Sequence, residues 1–242
     1  MNFVKASALF AIYIAIFGQN IPVFSEEIKS KQVSAVPTHP SIADSINQIK
    51  SSPDYMDLST FSNVKINLKY ATTDNFMGIN MYGAFQKPYL HKVAAEKLKA
   101  AIEILKKEKP GWSFIVFDAL RPRSVQWIMW DRVKNTPQKG YVADAQKGSV
   151  HNYGFALDIS LMDDKGNELD MGTPFDTFSD LAQPRYENKY LKTGKLTQKQ
   201  IDNRLILRQL MVRAGFRSIP NEWWHFDGLP REELEKKYRM VE

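Results

Sequence analysis

The sequence contains no cysteine. This absence excludes disulfides, thiolate metal ligands, a cysteine nucleophile and lipid attachment at cysteine. Any metal site must therefore be built from His, Asp or Glu side chains, and the 242 residues include only four histidines. The number of candidate ligand sets is correspondingly small.

The chain also lacks a hydrophobic run long enough to cross a bilayer. Its most apolar stretch, residues 6–17, is shorter than the roughly 20 residues that a transmembrane helix needs. One charge at Lys5, this apolar run and the small or branched residues 23–25 are typical of a secretory signal peptide. We therefore predict a signal peptide over residues 1–25 and an exported protein, periplasmic or secreted, with no stable membrane insertion after cleavage.

No concentrated block of positive charge interleaved with aromatic residues is present, although the formal net charge is +6. Many of the lysines lie on or beside a helical pattern at residues 92–109 and are interpreted as its solvated face. The charge distribution therefore does not predict a nucleic-acid partner. A mild basic excess suits work near an anionic cell envelope.

Composition and patterning predict one folded domain after a leader. A hydrophobic content of 43% is enough for a sizeable core. Residues 26–53 are rich in Ser, Pro, Lys and Gln and are predicted to form a flexible leader, whereas residues 54–242 are predicted to form the catalytic domain. Apolar periodicity predicts helices at 92–107, 122–133 and 197–214, strands at 66–70, 112–118, 155–161 and 222–226, and a long loop at 180–195. Helices and strands do not alternate strictly, so we predict an α+β fold with a central antiparallel sheet flanked by helices.

Two short segments carry the candidate chemistry. His151, Asp158 and His225 supply two imidazoles and a carboxylate, a usual ligand set for a catalytic zinc that leaves a fourth position for water. Glu222, close to the last histidine, is placed to act as a base. On a straight strand His151 and Asp158 would face opposite sides, so the chain must bend between them, and Gly154 can supply the bend. Spacing alone supports a metal site and a structural interpretation about equally. The other histidines, His39 and His91, are interpreted as structural.

The same segments resemble a known family. Residues 149–158 follow the pattern Ser-x-His-x-x-Gly-x-Ala-x-Asp, and residues 222–225 follow Glu-x-x-His. This pairing resembles the zinc peptidases of the LAS group, the D-alanyl-D-alanine carboxypeptidases and dipeptidases that share their fold with the Hedgehog signalling domain. Within that group the chain is most similar to VanX-type D-alanyl-D-alanine dipeptidases, because residues 68–76, 118–122, 171–176 and the full Glu-Trp-Trp-His segment also match. The resemblance spans about residues 68–226.

The resemblance implies roles for the catalytic centre. One zinc ion per chain would be held by His151, Asp158 and His225, although manganese or iron also accept such ligands. Glu222 would be the general base and acid, and Arg121 would steady the tetrahedral oxyanion. Arg123 competes for that role, but the motif position is the arginine immediately before proline. The family more often has an aromatic residue where Leu120 stands, which affects the expected local packing and not the charge.

A dipeptidase must bind both ends of a short substrate. By resemblance, Asp176 and Tyr70 would meet the ammonium group, and Ser149 would hold the substrate near the zinc. From the residues alone, Asp176 could instead cap a turn, Tyr70 could belong to the core, and Ser149 could only orient its loop. The implied partner is a small D-amino-acid dipeptide, and no sequence feature specifies an oligomeric state.

We therefore expect an exported zinc dipeptidase that hydrolyses D-alanyl-D-alanine to two D-alanines. One alternative is a carboxypeptidase or endopeptidase of the same group that trims peptidoglycan stem peptides and needs an open groove. Another is a zinc-stabilised binding domain of Hedgehog type without turnover. The presence of Glu222 and Arg121 argues against the second alternative, because a structural zinc needs neither a base nor an oxyanion partner.

Overall fold

A five-stranded sheet with helices packed against it organises the molecule, whose computed structural model describes residues 41–242. The predicted signal peptide, the first part of the predicted leader and His39 lie outside the described residues. The helices are α1 Ile42–Ser51, α2 Lys92–Glu108, α3 Arg123–Val133, α4 Glu187–Lys192, α5 Gln198–Arg213 and α6 Arg231–Lys237. The strands are β1 Tyr55–Asp57, β2 Val64–Ile66, β3 Tyr89–His91, β4 Ser113–Asp118, β5 Ala156–Met162, β6 Arg217–Ser218 and β7 His225–Asp227.

The sheet has the strand order β2-β4-β5-β7-β6. Every neighbouring pair is antiparallel except β2 and β4, which run parallel. Strands β1 and β3 form a separate antiparallel pair. The predicted α+β class with helices flanking a largely antiparallel sheet is confirmed.

The core lies between the sheet and helices α2 and α5. Strands β4 and β5 are buried along nearly their whole length, since both are covered on two faces. Helices α2 and α5 contact each other and bury apolar side chains at helical spacing against the sheet. A stable sheet of this kind fixes the positions of residues at its strand ends.

The helices predicted from periodicity begin and end close to the predicted residues. Helix α5 starts after Thr197, whose hydroxyl oxygen accepts a hydrogen bond from the backbone N–H of Gln200 while the Gln200 side chain accepts from the Thr197 N–H. It ends before Gly215, which has φ +93°. The predicted strand at 66–70 is too long, because the chain leaves the sheet after Ile66 and makes a 3-10 turn at Lys69–Ala71.

Two predictions of irregular structure are wrong in part. Helix α1 falls inside the predicted leader, where Ile42, Ile46 and Ile49 recur at helical spacing and pack into an apolar cluster. The predicted loop at 180–195 contains 3-10 turns and helix α4. Among residues 41–242, no helix combines the length and apolar character needed to cross a membrane.

Candidate metal centre and substrate pocket

Backbone pairing brings the three candidate ligands together. Asp158 on β5 and His225 on β7 are register partners. His151 lies on a 3-10 turn that ends at Gly154, where φ is +73° and the chain bends into β5. A Cβ atom at this glycine would lie 3.1 Å from the backbone nitrogen of His91. The bend predicted between His151 and Asp158 is therefore present, and it depends on glycine.

The ligand atoms are spaced as a small cation requires. His225 Nδ1 lies 3.0 Å from Asp158 Oδ1, and His151 Nε2 lies 3.4 Å from that oxygen. The two imidazole nitrogens are 3.2 Å apart. Bonds of about 2.0 Å to a tetrahedral zinc would place donor atoms about 3.3 Å apart. All three residues are buried, so the arrangement fits a metal ion of this size.

Hydrogen bonds on the far side of each imidazole set its tautomer. His151 Nδ1 lies 2.6 Å from the carbonyl oxygen of Ala119, which can only accept, so the proton is on Nδ1 and the lone pair of Nε2 is free. His225 Nε2 lies 2.9 Å from Asp227 Oδ1, so the neutral form of this imidazole donates from Nε2 and keeps its lone pair on Nδ1. Both lone pairs then point at one carboxylate oxygen. Such an arrangement is satisfied only by a shared cation or proton.

Electrostatics favour positive charge at the same point. Burial works against a protonated His225, yet its hydrogen bonds to Asp158 and Asp227 raise its pKa well above the usual value. Burial likewise works against a charged Asp158, yet His151 and His225 lower its pKa. The site therefore stabilises a cation, and its donor set matches the nitrogen and oxygen ligands that zinc accepts.

Asp227 was missed by the sequence reasoning. Its signal was present, because it lies two residues after His225 and such residues share one face of a strand. A carboxylate that holds a metal-binding histidine is a common supporting element of zinc sites.

Glu222 lies beside the ligand cluster on the irregular segment that precedes β7. Its Oε2 is 3.9 Å from His225 Nδ1. Burial raises the pKa of Glu222 to about 7. A carboxyl group with a pKa near neutrality can both accept and return a proton, as a general base and acid must.

Arg121 is buried and held in one orientation. Its Nε donates to Asp118 Oδ2 at 2.9 Å, and its Nη1 donates to Gln126 Oε1 at 2.9 Å. The guanidinium lies 5.0 Å from the centre of the Tyr70 ring. Arg123 instead binds the carbonyl of Ala145 and lies outside the cavity lining. Of the two arginines, the structure brings Arg121 to the ligand cluster.

The sequence reasoning also missed that Asp118 and Gln126 hold Arg121 in place. Asp118 accepts a second hydrogen bond from Tyr82, and Gln126 donates to the carbonyl oxygen of Ala143 at 2.8 Å. Asp118 stands three residues before the arginine at the end of β4, so the end of a predicted strand was the available signal. Gln126 carried no distinguishing pattern.

Tyr70 and Asp176 meet at another wall of the same cavity. The Tyr70 hydroxyl donates to Asp176 Oδ1 at 2.9 Å, while Asp176 Oδ2 is buried without a hydrogen-bond partner. Burial raises the pKa of Asp176 well above its usual value, and the nearby charge of Asp158 acts in the same direction. A positively charged group placed here would supply the missing partner.

Ser149 has a structural role and faces the cavity. Its hydroxyl oxygen accepts a hydrogen bond from the backbone N–H of His151 at 3.3 Å, which caps the turn that carries this histidine. Ser149 therefore orients the loop that carries His151. The same residue also lines the cavity, so contact with a ligand is geometrically open to it.

One cavity of about 310 Å³ contains every predicted site residue. Along its wall, Phe178 contacts two aromatic residues from separate segments, Phe76 and Tyr141. The Phe178 ring centre is 4.9 Å from that of Phe76 and 5.0 Å from that of Tyr141. His91 is absent from this lining and instead stacks on Phe155 with its centre 4.5 Å away. Within residues 41–242, the structure thus unites the predicted site and leaves His91 in the core.

Comparison with known proteins gives concordant matches. A family model described as D-Ala-D-Ala dipeptidase, in peptidase family M15, matches residues 53–242. The D-alanyl-D-alanine dipeptidase of Escherichia coli (strain K12) is 34% identical over 175 residues, which cover 72% of this chain and 84% of that protein. The D-alanyl-D-alanine dipeptidase of Enterococcus faecium is 29% identical over 184 residues, covering 67% and 85%. That of Synechocystis is 29% identical over 172 residues, covering 58% and 70%.

Proposed function

The chain belongs to the D-Ala-D-Ala dipeptidase family of metallopeptidases, and from this membership we propose that it hydrolyses free D-alanyl-D-alanine to two molecules of D-alanine with zinc as cofactor. The observation that carries the proposal is that one cavity contains both a candidate metal centre and a separate buried carboxylate. Two imidazole lone pairs and a carboxylate converge at one wall, and an unpartnered carboxylate oxygen is buried at another. Hydrolysis of a free dipeptide needs a metal centre beside the peptide bond and a negative group beside the ammonium.

His151, Asp158 and His225 would hold the zinc ion. When bound, zinc polarises a carbonyl group and lowers the pKa of water toward about 7. Glu222 takes a proton from the attacking water and returns it to the nitrogen of the leaving D-alanine. Burial raises its pKa above the usual value for a glutamate, which suits a group that accepts and returns a proton.

Arg121 stabilises the negative charge that develops on the carbonyl oxygen. Its guanidinium is held by Asp118 and Gln126, so little reorientation is needed as the charge grows. The residue is therefore preorganised for this task.

Asp176 and Tyr70 bind the substrate ammonium group. Asp176 provides the negative charge and the unpartnered oxygen, and Tyr70 holds the carboxylate by one hydrogen bond. Ser149 contacts the substrate close to the zinc. Phe178, with its neighbours Phe76 and Tyr141, lines the cavity beside the place proposed for the substrate.

The first test compares two substrates with the purified, zinc-loaded protein. D-Alanine release is measured from D-alanyl-D-alanine and from a pentapeptide ending in D-alanyl-D-alanine. We expect a higher kcat/KM for the free dipeptide, because only that substrate places its ammonium group at Asp176. A preference for the pentapeptide would indicate a carboxypeptidase, and no release from either would indicate a binding domain or another substrate.

We also propose that the protein is exported, periplasmic or secreted, after removal of residues 1–25. The support is the charge and apolar pattern of these residues. Fractionation of a bacterial cell that expresses the full chain, with mass spectrometry of its N-terminus, tests the proposal. A cytoplasmic protein that retains Met1 would refute it, and a version lacking residues 1–25 serves as the control for leakage.

A further inference from the structure

Arg204 on α5 is a buried charged residue that the proposed mechanism does not use. Its side chain is 1% exposed and is the largest among the fully buried side chains. Burying a guanidinium is unfavourable unless its donors and its charge are matched. The groups that it binds therefore indicate what the residue does.

The guanidinium of Arg204 connects two distant points of the chain. Its Nε donates to the carbonyl oxygen of Met171 at 2.7 Å, and its Nη2 donates to that of Leu181 at 3.1 Å. Residues 172–180, which we call the Asp176 segment, lie between these two carbonyls. Asn203, the preceding residue on α5, donates to the carbonyl oxygen of Asp170 at 2.8 Å. One helix thus binds both ends of the segment.

The Asp176 segment needs support from outside because its own backbone is strained and irregular. Gly172 has φ +80° and Asp176 has φ +59°, a left-handed conformation that is uncommon for a residue with a side chain. The segment contains no α-helix or strand, and its last residue begins the 3-10 turn Asp180–Ala182. Thr173 Oγ1 accepts a hydrogen bond from Trp223 Nε1 at 2.9 Å, which ties the segment to the residue after Glu222.

We propose that Arg204 is a positioning residue for substrate specificity: by holding both ends of the Asp176 segment, it keeps the Asp176 carboxylate where the ammonium group of a dipeptide binds. The ammonium part of this inference depends on the proposed function. Loss of Arg204 should weaken recognition of the free amino terminus while the metal end of the cavity remains intact.

A matched control lies one helical turn further along α5. Arg208 Nη2 binds Glu187 Oε1 at 2.7 Å, and Arg204 Nη1 lies 3.6 Å from the same oxygen. The two arginines therefore share an acidic partner, but only Arg204 is hydrogen-bonded to the carbonyls that flank the Asp176 segment. Arg208→Gln removes a charge beside Glu187 without cutting those bonds.

The test measures kcat and KM of zinc-loaded wild type, Arg204→Met, Arg204→Lys, Asn203→Ala and Arg208→Gln. The substrates are D-alanyl-D-alanine and its N-acetylated form, which has no ammonium group. For Arg204→Met we expect KM for the free dipeptide to rise about 10-fold with kcat within about 2-fold, since ground-state and transition-state contacts to the ammonium are lost together. The kcat/KM for the acetylated substrate should stay nearly constant, so discrimination falls. Arg204→Lys and Asn203→Ala should show smaller changes in the same direction, and Arg208→Gln none.

Hydrogen–deuterium exchange gives a readout independent of turnover. We expect faster exchange in residues 172–180 of the Arg204 variants and unchanged exchange in residues 149–158. Equal exchange in the Asp176 segment would overturn the positioning role. An equal fall in kcat/KM for both substrates would also overturn it, because that pattern reports a general loss of active protein.

The two proposals fail in distinguishable ways. If wild type releases no D-alanine from the free dipeptide, or does not prefer it over the acetylated form, the proposed function and the ammonium part of the inference are refuted, and exchange still decides whether Arg204 holds the segment. If Arg204→Met does not fold, Arg204→Lys and Asn203→Ala decide the question, and unchanged discrimination in both would refute the inference.

Discussion

The end of the cavity with His151, Asp158 and His225, which we call the metal end, is held by main-chain pairing. The end with Tyr70 and Asp176, which we propose binds the substrate ammonium group and call the ammonium end, is instead flanked by carbonyl groups that are bound from a distant helix. Asp158 and His225 face each other in adjacent strands, and the backbone N–H of Arg121 donates to the carbonyl oxygen of His151 at 3.1 Å. Asp176 instead lies on an irregular segment whose flanking carbonyls are bound by Arg204.

This difference separates two demands on the enzyme. Metal ligands must hold their relative positions to within a few tenths of an ångström, and a sheet provides that rigidity. Residues that select the substrate can lie on a connecting segment, because loops tolerate sequence change more readily than strands. We therefore expect substitutions at the metal end to alter turnover or metal affinity, and those at the ammonium end to alter KM.

The largest expected effect is that of Glu222→Gln. Removing the proton acceptor should lower kcat by about 10²- to 10⁴-fold, the usual range for a general acid–base residue. Zinc content, measured by elemental analysis, should not change, because Glu222 is outside the ligand set. Glu103→Gln, at an exposed carboxylate on α2 away from the metal-site cavity, is the control and should retain wild-type kcat. Wild-type hydrolysis by a zinc-loaded Glu222→Gln protein would refute the assigned mechanism.

The next largest expected effect is that of substituting Asp227, the residue that holds the candidate metal ligand His225. Asp227→Ala removes the acceptor 2.9 Å from His225 Nε2 and should weaken zinc affinity by about 10- to 100-fold. Competition with a chelator of known affinity measures the change. Asp176→Asn should leave zinc affinity at the wild-type value in the same assay. If both variants lost affinity equally, the two ends of the cavity would be coupled and the contrast between them would not hold.

The same contrast explains how much of the site the sequence could predict. His151 and Asp158 are seven residues apart, and Glu222 and His225 are three apart, so each pair is a local pattern. Spacing alone left a metal site and a structural interpretation equally supported, and the family resemblance decided between them. Asp227 also follows a local rule, since it lies two residues from His225 on a strand. Short-range spacing therefore provides a signal where regular backbone structure determines which side chains meet, and it must be combined with a further observation to assign the site.

Arg204 could not be predicted in this way. It is separated from Met171 and Leu181 by 33 and 23 residues, and its partners are backbone carbonyls, which have no sequence signature. The fold shows a similar division. Helices α2 and α5 followed their apolar periodicity, whereas α1 was missed because surrounding Ser and Pro residues hid a short repeat of isoleucines. The chain's departure from the sheet after Ile66 depends on tertiary packing of Leu68 and Tyr70.

At the ammonium end, Asp176→Asn should act on binding. The variant loses the charge that attracts the substrate ammonium, so we expect KM for D-alanyl-D-alanine to rise on the order of 10-fold. Turnover at saturating substrate should change much less than in Glu222→Gln. Steady-state kinetics measure both parameters, and Asp164→Asn, at an exposed acid in the turn after β5, serves as the control. A variant with unchanged KM would show that the ammonium group binds elsewhere.

The smallest expected effect is that of Asp176→Asn on stability. The substitution should weaken substrate binding but raise the free energy of unfolding. Burial raises the pKa of Asp176 in the folded protein above its value in the unfolded chain. Above about pH 4 the unfolded carboxyl therefore ionises more readily than the folded one, and the wild type loses stability as the pH rises. An asparagine does not titrate, so substrate-free Asp176→Asn should be the more stable protein near pH 7, by on the order of 1 kcal/mol, with the difference shrinking toward pH 3. Thermal unfolding across this pH range, with zinc held constant, measures the difference. If the variant were less stable at every pH, the Asp176 carboxylate would stabilise the folded protein. The ammonium end would then be part of the structural framework, as the metal end is.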